Sequence, residues 1–63
     1  MAKRVLRVKN ARIHNGSLWC DLAEDDPVRG WKAGQGIKTS TVLPTDVGPN
    51  KYETRNTIYH VID

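Results

Sequence analysis

The run Ile13-His14-Asn15-Gly16-Ser17-Leu18 sets Asn-Gly between apolar positions, the strongest short-range signal for a β-hairpin. A two-residue turn there pairs His14 with Ser17, Ile13 with Leu18, Arg12 with Trp19 and Ala11 with Cys20. Side chains alternate between the two sides of a strand, so this register gathers Ala11, Ile13, Leu18, Cys20 and Leu22 on one inner face. Arg12 and Trp19 then meet on the outside, where a cation–π contact contributes roughly 0.5–1 kcal/mol.

Working backward from the turn, the phase slips. Leu6 and Val8 fall on even positions, whereas Ala11 and Ile13 are odd. A bulge near Lys9-Asn10 restores Val8 to the core side and bends the strand, the device by which small barrels turn their corners.

Working forward, Glu24-Asp25-Asp26-Pro27 ends the second strand, and residues 28–36, with Gly30, Gly34 and Gly36, read as a long flexible loop carrying Trp31. Residues 37–43 form a third strand by their β-branched content, stopped by Pro44, and residues 45–50 are a turn region. Residues 51–62 read either as one edge strand or as a second hairpin. The hairpin is preferred: it turns at Arg55-Asn56 and brings Thr54 opposite Thr57 and Tyr52 opposite Tyr59. No window has the i, i+3, i+4 apolar spacing of a helix longer than a turn or two. The expected fold is all-β, a single small domain over residues 1–63 with an antiparallel five-strand sheet curled toward an SH3-like or other small barrel.

Sixty-three residues with 38% hydrophobic content and no Phe can bury only a thin core. An oligomer is one way to make up the difference, and a homo-oligomer is expected. The single cysteine, Cys20, excludes an intramolecular disulfide and suits a reducing, cytoplasmic setting. No apolar run approaches the ~20 residues of a membrane-spanning helix, and the basic start lacks the apolar centre of a signal peptide.

A catalytic reading has little to build on. Cys20 belongs to the inner face and His14 to the turn, so nucleophile and base point apart, and His60 reads as a surface residue. Asp21, Glu24, Asp25 and Asp26 lack the glycine-punctuated spacing of a cation loop and read as a solvated acidic turn. Gly34-Gln35-Gly36 lacks the flanking elements of a phosphate loop. No catalytic residue, metal ligand or cofactor is assigned.

Binding has better footing. Lys3, Arg4, Arg7, Lys9 and Arg12 meet no acid before Asp21, so the first strand is a basic strip suited to phosphates. Trp19 opposite Arg12 adds an aromatic face on which a base can stack. A second polar set, Thr39, Ser40, Thr41, Thr54, Arg55, Asn56, Thr57 and Tyr59, combines hydroxyls, an amide and a guanidinium that can grip an anionic ligand. The rival reading is a protein-interaction module that inhibits or assembles with a host or phage protein, with Trp19 and Trp31 as anchors.

The segments Gly36-Ile37-Lys38-Thr39-Ser40-Thr41-Val42 and Thr54-Arg55-Asn56-Thr57-Ile58-Tyr59-His60-Val61 resemble a pattern of short phage and mobile-element β-proteins, Ile-x-Thr-Ser-x-Val followed by Thr-x-Asn-x-x-Tyr-x-Val. The resemblance covers less than half the chain. It implies an accessory protein of a phage-infected cytoplasm that acts by binding host protein, nucleic acid or a nucleotide signal. The reading reached is non-enzymatic capture of a phosphate-bearing ligand, nucleic acid or nucleotide, by Arg4, Arg7, Lys9 and Arg12 with Trp19, or by Thr39, Ser40, Arg55, Asn56 and Tyr59.

Overall fold

Asn15 and Gly16 take φ values of 52° and 79°, the left-handed region that a tight hairpin turn needs and that these two residues enter at least cost. The turn joins β1 (Arg4–His14) to β2 (Ser17–Leu22) in a computed structural model that describes residues 3–63. His14 faces Ser17, Ile13 faces Leu18 and Arg12 faces Trp19, the register expected from Asn-Gly. Pairing then shifts between Lys9 and Arg12, so Asn10 and Ala11 together lie across from Cys20. Asn10 accommodates the bulge at a φ of 53°. Beyond it Val8 faces Leu22 and is fully buried, as the phase slip requires.

β3 (Gly36–Thr41) pairs antiparallel with β2 and is two residues shorter at its end than the β-branched run suggests. β4 (Lys51–Glu53) and β5 (Thr57–Val61) form the second hairpin, with Tyr52 opposite Tyr59 and the Thr54 amide donating to the Thr57 carbonyl at 2.8 Å. The strands make one sheet in the order β3-β2-β1-β5-β4.

The sheet is mixed, which corrects the expectation of a purely antiparallel one. β5 runs parallel to β1, with Leu6 beside Tyr59 and Val8 beside Val61. Alternation alone could not reveal this, because a strand presents the same inner face whichever way it runs. The sheet also stays open. Its two edges approach where the chain leaving β3 donates from Leu43 N to Glu53 O of β4 at 2.8 Å, but β3 and β4 themselves do not pair.

The inner face carries Leu6, Val8, Leu18, Cys20, Leu22, Ile37 and Tyr59, all buried, with Ala11, Trp31, Val42, Tyr52 and Val61 packed against them. Fully burying one such aliphatic side chain contributes roughly 1.5–3 kcal/mol. Ile13 pairs with the buried Leu18 but is itself 48% exposed, which corrects its expected place in the core.

Residues 28–36 are more tightly tied than a flexible loop. Asp26 and Trp31 exchange two backbone hydrogen bonds at 2.9 and 3.0 Å, Gly34 N donates to Leu22 O at 2.7 Å, and Ala33 N donates to the Asp25 carboxylate at 2.8 Å. The acidic turn is also less solvated than its composition suggests. Asp26 is wholly buried, 2.7 Å from Arg29 Nη1 and 3.3 Å from Arg4 Nη2. Arg29 in turn donates to the buried Thr57 hydroxyl, so one carboxylate ties the loop to β1 and, through Arg29, to β5.

Candidate binding face

The basic strip of β1 does not present itself as one surface. Lys3 pairs with Glu53 at 2.7 Å, Arg4 with Asp26 at 3.3 Å and Arg7 with Glu24 at 3.1 Å. These contacts hold Glu53 and Glu24 below the ordinary carboxylate range: Glu53 chiefly through the Lys3 hydrogen bond, Glu24 chiefly through the backbone amide of Arg7 and then its side chain. The pairs fasten β1 to β4 and to the acidic turn. Among the described residues, Lys9 and Arg12 are the strip members that form no ion pair.

Arg12 belongs to a more coherent arrangement on the outer side of the sheet. Register places Arg12 of β1, Trp19 of β2 and Lys38 of β3 side by side across three strands. Trp19 is 40% exposed, and the cation seated over its ring is Lys38, with Nζ 5.4 Å from the centroid. The sequence reading gave that position to Arg12. Register sets both cations directly opposite Trp19, Arg12 from β1 and Lys38 from β3, and it is the Lys38 ammonium that lies over the ring.

An open groove of about 480 Å³ runs beside Arg12 and Trp19 of this row, without Lys38 in its lining, and is lined also by Asn10, His14, Asp21 and Gly36, among others. One strand step beyond the Arg12–Trp19–Lys38 row, Lys9, Asp21 and Gly36 form a second. Sequence reasoning found Arg12 and Trp19 here but missed Asn10, His14, Asp21, Gly36 and Lys38. The available signal was Lys38 itself, which falls between the buried Ile37 and Thr39 and so must face outward.

The second polar set divides. Thr39 and Tyr59 are buried, and Thr39 Oγ1 accepts from Leu18 N at 3.2 Å while donating to Ser40 O at 2.9 Å. Burial pushes the Tyr59 phenol up from its ordinary value, with Arg29 acting in the opposite direction. Thr54 and Thr57 are likewise buried and internally bonded. Ser40 and Arg55 do come together, with Thr41 and Leu43, around a shallow depression of about 400 Å³, and Asn56 is exposed at the adjoining turn.

Trp31 packs against the core beneath Arg29, whose guanidinium carbon lies 5.0 Å from the ring centroid, so it is a structural residue of the loop. Cys20 is buried, and desolvation, with the Asp21 charge, pushes its thiol up to about 11. A thiol held there supplies almost no thiolate near neutrality. Among the described residues, no three His, Cys, Asp or Glu side chains are grouped to hold a metal ion, and no helix is long and apolar enough to cross a membrane. Comparison of the chain with protein-family models, curated proteins and solved structures gives no match.

Proposed function

We propose that this protein is a non-enzymatic binding module that captures a phosphate-bearing ligand, nucleic acid or nucleotide, on the outer face of β1, β2 and β3. The observation that carries this reading is Trp19, 40% exposed on the sheet, with Arg12 opposite it on β1 and the Lys38 ammonium of β3 over its ring, where it can move aside to meet a phosphate. An exposed aromatic gives a base a stacking surface worth ~1–3 kcal/mol, and flanking cations neutralise the phosphates on either side of that base. Lys9 extends the positive edge, and the chain's net charge of +3 favours approach of a polyanion.

The test is fluorescence anisotropy of labelled single-stranded and duplex oligonucleotides, with nucleotides as competitors, over a salt series. Binding that weakens as salt rises and is lost in Trp19→Ala and in the double variant Arg12→Ala, Lys38→Ala supports the proposal. Absence of binding to every probe at low salt overturns it.

A further inference from the structure

Asp21 lies two residues from Trp19 on the same outer face of β2, hence about 6.5–7 Å along the strand. A base stacked on Trp19 therefore extends its edge toward a carboxylate. That carboxylate is held in position. Asp21 Oδ2 accepts from Asn10 Nδ2 at 3.0 Å, and Asn10 is itself fixed at the β1 bulge, its backbone amide donating to Asp63 at 2.9 Å. Oδ1 rests over Gly36, 3.3 Å from where a β-carbon would stand, so glycine opposite Asp21 leaves the carboxylate its place. Asp21, Asn10 and Gly36 all line the groove that Trp19 lines.

A negative group is out of place in a pocket that serves phosphates alone. It fits a pocket that also reads a base. A carboxylate offers only acceptors, about four lone-pair sites on two oxygens, so it selects base edges that present donors. Guanine presents two adjacent donors, N1–H and the N2 amino group, and the two oxygens of one carboxylate match them. Adenine and cytosine offer an amino group beside an acceptor nitrogen, and uracil and thymine a single imino donor flanked by carbonyl oxygens, which a carboxylate repels.

From this geometry we infer that the groove selects guanine, with Asp21 reading the base edge while Trp19 stacks on its face. The inference rests on the capture of nucleotides proposed above. Binding of guanosine, inosine, adenosine and uridine monophosphates, and of short single strands with one guanine in a uridine context, is measured for the wild type, Asp21→Asn and Gly36→Ala. The wild type binds guanosine monophosphate at least about tenfold more tightly than uridine monophosphate, the scale of one good two-point contact. Inosine, which lacks the N2 amino group, falls between. Asp21→Asn removes most of the guanine advantage without weakening uridine binding.

Equal binding of all four nucleotides by the wild type, or a guanine preference unchanged in Asp21→Asn, overturns the inference and leaves phosphate capture standing. Silence toward all of them overturns both. The inosine comparison uses only the wild-type protein and so stands whether or not the variants fold.

Discussion

Asp26 Oδ2 lies 2.7 Å from Arg29 Nη1, with the carboxylate fully removed from solvent and the guanidinium only partly so. This contact, three residues apart in sequence, joins Arg4 and the Arg29–Thr57 hydrogen bond in a polar tie between the loop, β1 and β5. Replacing Asp26 by Ala strands two guanidinium groups beside an apolar space. The expected loss is about 3 kcal/mol, toward the low end for breaking a buried pair because both arginines keep some access to water. In a domain with so thin a core this moves the urea midpoint far down, and an unchanged midpoint contradicts the role given to Asp26.

The same cluster sets the response to acid. Burial alone raises the Asp26 carboxyl, but the Arg29 hydrogen bond and the Arg4 and Arg29 charges outweigh it, and the carboxyl lies below its ordinary value. Glu24 and Glu53 are lowered as well. A carboxylate lowered by folding stabilises the fold above its unfolded pKa, and that stabilisation is lost as pH falls through the folded value. Stability is therefore expected to be flat with respect to these groups above about pH 5 and to fall steadily below about pH 4. Denaturation followed from pH 7 to pH 2 checks this, and Asp26→Asn should flatten the acid limb.

Gly16 holds a φ of 79° at the β1–β2 turn, and a β-carbon there meets Thr41 Cγ2 at an ordinary 3.7 Å. Space is available, so any penalty for Gly16→Ala comes from the left-handed backbone, about 1–2 kcal/mol. Equilibrium unfolding measures it. A neutral substitution means that the turn is not held in this conformation in solution.

Cys20 should resist modification in the folded protein. Its thiol is buried and raised to about 11, so labelling by a thiol reagent at pH 8 proceeds at the rate of opening, not at that of a free thiol. Addition of urea through the unfolding transition restores full reactivity. Rapid stoichiometric labelling without denaturant contradicts the packing described.

Both hairpins were legible because each is local. Asn15-Gly16 fixes the first register, the odd-even slip between Val8 and Ala11 locates the bulge, and Arg55-Asn56 sets Tyr52 against Tyr59. How the hairpins join was not legible, since the apolar face formed by Leu6, Val8, Tyr59 and Val61 is the same for parallel and antiparallel neighbours. The fate of charge was hidden for a related reason. Arg4 and Asp26 read as members of separate basic and acidic runs until the fold brings them within 3.3 Å. Half of the candidate site was visible in the Arg12–Trp19 pairing. Asp21 shares the Trp19 face by alternation along β2 but read as part of a solvated acidic turn, and Lys38 and Gly36 could not be set beside that face because a long connection separates β2 from β3 and local turn chemistry does not fix their register.

The central claim, that phosphate-bearing ligands dock on the outer face of β1, β2 and β3, is tested most directly by mapping nuclear magnetic resonance shifts of the labelled protein during titration with a short single-stranded oligonucleotide at low salt. The account predicts changes concentrated at the Trp19 indole, Arg12, Asp21, Gly36 and Lys38, fading as salt is added. Shifts centred on Ser40, Arg55 and Asn56 with the Trp19 signals unmoved, or no shifts at all, contradict it.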